Sequence, residues 1–269
     1  MLVGVERIVA AFAQAQANGH AAFMPYLTIG HPAPELTLEL VPALEAVGAD
    51  MFELGVPFSD PLADGPTIQA ATQIALRNGI TVARCMEIAA NLRRQGVQAP
   101  FLFMGYYNPI LAYGIEAYCR DAAKAGVDGF IVPDLPPEEA DKLAAACEHR
   151  GLALIYLLAP TSTEERIQLV ASKAQGLIYL VSVTGITGAR DTLPPHLGAF
   201  VNRVRQHTSL PLAVGFGIST PKQAQQVAEI ADGVVVGSAL VKLAGGPNPV
   251  QAVSQLGRAL VAGIRHSRP

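Results

Sequence analysis

The sequence predicts a single (β/α)8 barrel over residues 1–269, with an additional N-terminal helix. Three observations carry that reading. Eight short apolar runs alternate with amphipathic stretches along the chain. The runs are continuously apolar, as parallel strands covered on both faces must be. Related joints, VGADMFELG, AGVDGFIVP and IADGVVVGS, read as one helix-to-strand solution used repeatedly. An open doubly wound sheet is the alternative, but eight such units in one chain of this length specify a closed barrel better.

In order, VERIVAAFAQAQANG carries the leading helical pattern, and AAFMPYLTIG (21–30) is the first strand. A helix over 34–49 leads to strand two, ADMFELGV (49–56). Helical stretches at 67–78 and 81–96 precede strand three at 100–105. A helix at 115–125 precedes strand four at 127–133. The pattern continues with a helix over 138–151 and strand five at 152–158, then a helix over 163–176 and strand six at 177–183. A helix near 195–207, strand seven at 210–217, a helix at 220–231, strand eight at 232–239 and a last helix near 248–264 complete it. Several helices end in glycine just before the next strand, a C-cap signal.

Composition narrows the function classes. Apolar residues make up 51% and charged residues 15%, which supplies one large core. Net charge is −3, and no basic stripe argues for nucleic acid or an anionic membrane. No apolar run is long enough to span a bilayer, and the N-terminal stretch lacks the features of a signal or transit peptide. Cys85, Cys119 and Cys147 are scattered, which fits buried thiols in a reducing compartment, so a cytoplasmic location is expected. No HExxH or CxxC occurs and the histidines do not gather at strand ends, so no metal site is expected.

In a barrel of this kind chemistry sits at the C-terminal strand ends. Strand two carries Glu53, which shares a face with Met51 and Gly55. An inward carboxyl among apolar neighbours should have a raised pKa, which poises it for proton transfer near neutral pH. A structural Glu with a partner is the competing reading. The loop that follows holds Asp60, in turn-like SDP, and Asp64, just before a helix whose N-terminus it could favour. Glycines Gly215, Gly217 and Gly237, with Ser238 and the TGITG stretch around Gly188, end strands six to eight. Bare backbone N–H groups in those loops suit a phosphate, although any single glycine there can serve a tight turn alone. None of the lysines ends a strand on that face, which sets a Schiff-base mechanism aside.

ELGVPFSDPLADGPTIQ resembles the signature of the tryptophan synthase alpha subunit family. So do PYLTIGHP at strand one, YYNPI after strand three, VPDLPPEE after strand four, YLVSVTGITGAR at loop six, and GFGIS and VVVGSA near the end. The resemblance runs over residues 20 to 243. It implies retro-aldol cleavage of indole-3-glycerol phosphate to indole and glyceraldehyde 3-phosphate, with no metal or organic cofactor. It implies Glu53 as the acid/base and Asp64 as the carboxylate beside the indole N–H. Implied substrate contacts are Tyr26, Tyr106, Tyr179, Thr187 and Phe216, with phosphate at Gly188, Gly217, Gly237 and Ser238. Loop six is expected to act as a lid that brings Thr187 to Asp64. At that loop VTGITG departs from other members, which carry an Arg at or near Val183.

The resemblance further implies a pyridoxal-phosphate-dependent beta subunit that receives the indole in an alpha-beta-beta-alpha heterotetramer. Pro57, Asp60, Asn108 and Pro109 match its partner-facing loops. A free-standing indole-3-glycerol phosphate lyase is the nearest alternative. A sugar-phosphate epimerase and a non-catalytic scaffold subunit are more distant ones.

Overall fold

Each apolar run becomes a strand, and each strand core is shorter than its run. The computed structural model describes residues 2–182, 193–215 and 217–266. Strands one to four are Ala22–Thr28, Phe52–Gly55, Phe101–Met104 and Gly129–Ile131. Strands six to eight are Ile178–Val181, Leu212–Gly215 and Gly233–Val236. Strand five comes in two pieces, Ala153–Ile155 and Leu157–Leu158. The first piece pairs with strand four and the second with strand six. All pairings are parallel, and strand one pairs with both strand two and strand eight. The nine strand segments therefore make an eight-stranded barrel that closes through strand five.

The register shows the closure. Tyr26, Glu53, Leu102, Gly129 and Ala153 are successive neighbours. Leu157, Tyr179, Ala213, Gly233 and Ala22 are another such row. The path slips four residues from Ala153 to Leu157 and four more from Ala22 to Tyr26, which is the shear of eight typical of this fold. Tyr156, at the switch of partners, is buried and still accepts a hydrogen bond from the Tyr179 amide at 3.0 Å.

Among the described residues there are twelve helices. The first six are α1 (Val5–Ala17), α2 (Pro34–Ala46), α3 (Pro66–Arg77), α4 (Val82–Arg94), α5 (Tyr107–Tyr113) and α6 (Ile115–Lys124). The rest are α7 (Asp141–Glu148), α8 (Glu164–Lys173), α9 (Leu197–Arg205), α10 (Pro221–Ala228), α11 (Ser238–Ala244) and α12 (Pro249–Arg265). Thr81, Thr163 and Thr220 cap α4, α8 and α10 with their hydroxyls. Gly126 and Gly151 turn the chain after α6 and α7 at φ 83° and 68°, a region that other residues enter at a cost.

Two cores result. Alternate strand residues facing outward pack under the helices, among them Phe52, Phe103 and Phe130. The inward ones, Ala22, Met24, Met51, Leu102 and Ile131, fill the barrel. The leading helix α1 closes the N-terminal mouth by adding Ile8, Phe12 and Ala15 to that inner core. Asp128 anchors it: its buried carboxylate accepts from the Gly4 and Phe101 amides and pairs with Arg7 at 2.9 Å and Arg93 at 2.7 Å.

The helices differ from expectation in two places. Residues 107–113, which overlap the YYNPI stretch after strand three, form α5, where no helix was expected. Asp134, from the loop after strand four, accepts from the Tyr107 amide at 3.0 Å and so satisfies that helix's first turn from a distance. The helix expected from 138 starts at Asp141. The Pro136 carbonyl is taken by the Glu139 amide in a tight turn, and Lys173 holds the Pro137 carbonyl.

Candidate active site

Period-two alternation turns Glu53 into the barrel, one row above Met51. It is 2% exposed. Its Oε2 receives the Tyr179 hydroxyl at 3.5 Å. Burial pushes its pKa up to about 8, the nearby Asp64 charge pushes the same way, and the Tyr179 hydroxyl opposes both. Among the described residues no Lys, Arg or His forms an ion pair with it. The competing reading, a structural glutamate with a cationic partner, finds no support there.

Asp64 reaches back over this carboxyl on the proline-rich loop. Its Oδ2 accepts from the Tyr106 hydroxyl at 3.0 Å, and the same hydroxyl accepts from the Ala63 amide at 3.0 Å. Phe58 lies against the Tyr106 ring with centroids 5.5 Å apart. The start of α3 has no side-chain cap, so Asp64 makes no capping hydrogen bond to that helix end. Burial raises its pKa, and the Tyr106 hydrogen bond, which favours the carboxylate, holds it back. The 42-residue gap between Tyr106 and Asp64 left no local pattern from which this bond could be read.

Aromatic rings wall the same mouth. Tyr26, Tyr106 and Tyr179 are all buried. Tyr26 touches Thr28 Oγ1 at 3.3 Å. Tyr26 and Tyr179 each lie across a glycine on the next strand: a Cβ on Gly55 would overlap the Tyr26 hydroxyl, and one on Gly215 would overlap that of Tyr179. Both phenols are held well above their ordinary pKa, by burial first, so they remain hydrogen-bond donors.

At the far side of the mouth, Gly217 has φ 81°, which suits glycine. Gly237 precedes α11, and Ser238 is that helix's first residue. A Cβ on Gly237 would stand 3.3 Å from Tyr26 Cβ, so this turn sits directly against the aromatic wall. Thr187, Gly188 and Phe216 lie outside the described residues, as does Val183.

The outer rim holds the remaining residues singled out above. Asp60 and Asn108 are exposed, Pro109 is half-buried and Pro57 is buried beneath the loop. Two apolar neighbours went unnoticed in the sequence: Leu62 is 85% exposed and Leu111, on α5, 50%. The signal for Leu62 was present, a lone leucine inside the polar turn SDPLADGP.

The model of the family described as tryptophan synthase alpha chain matches residues 12–259. The chain belongs to the tryptophan synthase alpha chain family. It is 55% identical over 237 residues to the tryptophan synthase alpha chain of Chloroflexus aggregans, covering 88% of this chain and 89% of that one. The alpha chain of a Roseiflexus species is 55% identical over 239 residues, covering 89% and 92%. Among solved structures, the tryptophan synthase alpha subunit of Legionella pneumophila superposes with a TM-score of 0.90 at 40% identity, covering 97% of this chain and 98% of that one. A Mycobacterium tuberculosis tryptophan synthase chain gives 0.89 at 39%, covering 98% and 99%. Membership in the tryptophan synthase alpha chain family makes this chain a lyase of tryptophan synthesis.

Proposed function

We propose that this barrel cleaves indole-3-glycerol phosphate to indole and glyceraldehyde 3-phosphate, and that it does so with its own side chains and no resident cofactor. The observation that carries the reading is a buried Glu53 with a pKa of about 8, hydrogen-bonded by the Tyr179 hydroxyl, without a cationic partner among the described residues, and set beside a second carboxyl, Asp64. A carboxyl protonated at neutral pH can give its proton to indole carbon 3, which makes that carbon a leaving group. The ring then carries positive charge at its N–H, where the Asp64 carboxylate, hydrogen-bonded by Tyr106, stabilises it. The Glu53 carboxylate so formed removes the proton of the glycerol 3′-hydroxyl as the C–C bond breaks. The proton count closes: one given, one taken back.

In this reading Tyr26, Tyr106, Tyr179 and Phe216 form the apolar wall for the indole. Gly188, Gly217, Gly237 and Ser238 receive the phosphate through backbone N–H groups and a hydroxyl. Thr187 meets Asp64 when loop six closes. Indole passes to a beta subunit that carries pyridoxal phosphate, in an alpha-beta-beta-alpha assembly. Asp60, Asn108 and Pro109 face that partner, with Pro57 supporting the loop from beneath. The exposed Leu62 and Leu111 support a partnered subunit over a free-standing lyase, since apolar side chains on a rim favour a covering surface.

Indole release from indole-3-glycerol phosphate, measured with and without a beta subunit, tests this. Cleavage that rises on adding the partner, and that Glu53→Gln removes, is expected. Substantial turnover by Glu53→Gln would overturn the proton role, and turnover indifferent to the partner would favour the free-standing lyase. Asp60→Ala should weaken stimulation while sparing the basal reaction.

A further inference from the structure

On the outside of the barrel, α6 and α7 bring two thiols together. Cys119 Sγ and Cys147 Sγ are 3.9 Å apart and share a hydrogen bond. Both are fully buried. The third thiol, Cys85, lies on α4 and is likewise buried.

We propose that Cys119 and Cys147 are a modification site: a preorganised dithiol that a peroxide converts into an intramolecular disulfide joining α6 to α7.

Three features support it. The separation of 3.9 Å already brings the sulfurs to contact, about 2 Å beyond the length of an S–S bond. A cavity of about 260 Å³ opens between α7, strand five and α8, and Cys147 lies in its wall with Asp141, Glu148, Tyr156 and Lys173, while Cys119 stands behind Cys147 with its Sγ 3.9 Å away, so peroxide reaches the pair from the Cys147 side. That volume admits a molecule the size of hydrogen peroxide with room to spare. The hydrogen bond shared with Cys147, with a smaller contribution from Arg150, holds the Cys119 thiol below its ordinary pKa against the opposing effects of burial and Glu116. The pair thus has a nucleophile and a resolving thiol.

The chemistry closes. The Cys119 thiolate attacks one peroxide oxygen, an S–O bond forms, the O–O bond breaks, and hydroxide leaves to take up the displaced proton as water. The Cys147 thiol then attacks the sulfenic sulfur. An S–S bond forms, the S–O bond breaks, and a second water departs with the thiol's proton. Two thiols are oxidised by two electrons and one peroxide is reduced to two waters.

The test compares folded and urea-denatured full-length protein, each treated with limiting hydrogen peroxide, then digested without reduction and mapped by mass spectrometry. The expected result in the folded protein is one crosslink, Cys119 to Cys147, with Cys85 still alkylatable. The denatured chain should give mixed pairings, because loop closure depends only weakly on length. Cys147→Ser should leave a sulfenic acid on Cys119 that a dimedone probe captures, with no crosslink. Oxidation of the folded protein without a Cys119–Cys147 crosslink, or the same mixture of pairings as in the denatured chain, would overturn the proposal.

Discussion

Tyr106, at the end of strand three, binds both the Asp64 carboxylate and the Ala63 amide through one hydroxyl, each at 3.0 Å. The loop after strand two is thus pinned by its neighbour rather than by its own turn chemistry. Tyr106→Phe keeps the ring against Phe58 and deletes both hydrogen bonds. Removing one bond to a charged group corresponds to about 1.5–3 kcal/mol, or roughly a tenfold to hundredfold fall in kcat/KM. Steady-state indole release measures it; wild-type kinetics would show that Asp64 holds its place without the phenol.

Glu53 makes stability depend on pH in an unusual direction. Its pKa is raised on folding to about 8 from the ordinary 4.5, so between these values the folded state holds more protons than the unfolded one. Stability attributable to this group must therefore fall as pH rises from about 4.5 to about 8. Glu53→Gln removes that slope. Urea midpoints of the two proteins are expected to diverge in favour of the variant across this interval; parallel curves would contradict the raised pKa.

Gly215→Ala sets a methyl group where the Tyr179 hydroxyl now lies. The ring must leave its place beside Glu53, and a displacement of about 1 Å near reacting atoms can lower rates by about a hundredfold. Gly198→Ala, in α9, is the control: its added methyl meets nothing within 4 Å. That variant should keep its rate and gain a few tenths to about 1 kcal/mol in stability. Similar kinetics for both variants would refute the steric argument.

Asp128→Ala leaves Arg7 and Arg93 without their shared carboxylate and the Gly4 and Phe101 amides without their acceptor. Breaking a buried pair of this kind costs about 3–5 kcal/mol. Denaturant unfolding should report that loss, while the catalytic constants of the protein that stays folded should change little, because the site lies at the opposite mouth of the barrel.

The barrel was legible in the sequence because its signals are local. Continuous apolar runs and glycine helix ends both act within a few residues, and the inward face of Glu53 follows from strand alternation. What could not be read depends on contacts between distant segments. The split of strand five at Tyr156 arises where the sheet changes partners. Helix α5 is completed by Asp134, 27 residues on. The separation of Asp64 from Asp60 needed the family signature, and the structure adds its physical content: Tyr106 reaches the former, while the latter is left in solvent with Ser59.

The anchoring of α1 also constrains the order of assembly. Its Gly4 and Arg7 bind Asp128, 124 and 121 residues later, and its Ile8 and Phe12 lie against Gly176 and Gly233. A chain emerging from the ribosome therefore makes its first helix long before either anchor exists. A segment synthesised before its anchors is thus secured late, and until then its apolar stripe is open to a chaperone or to a second nascent chain.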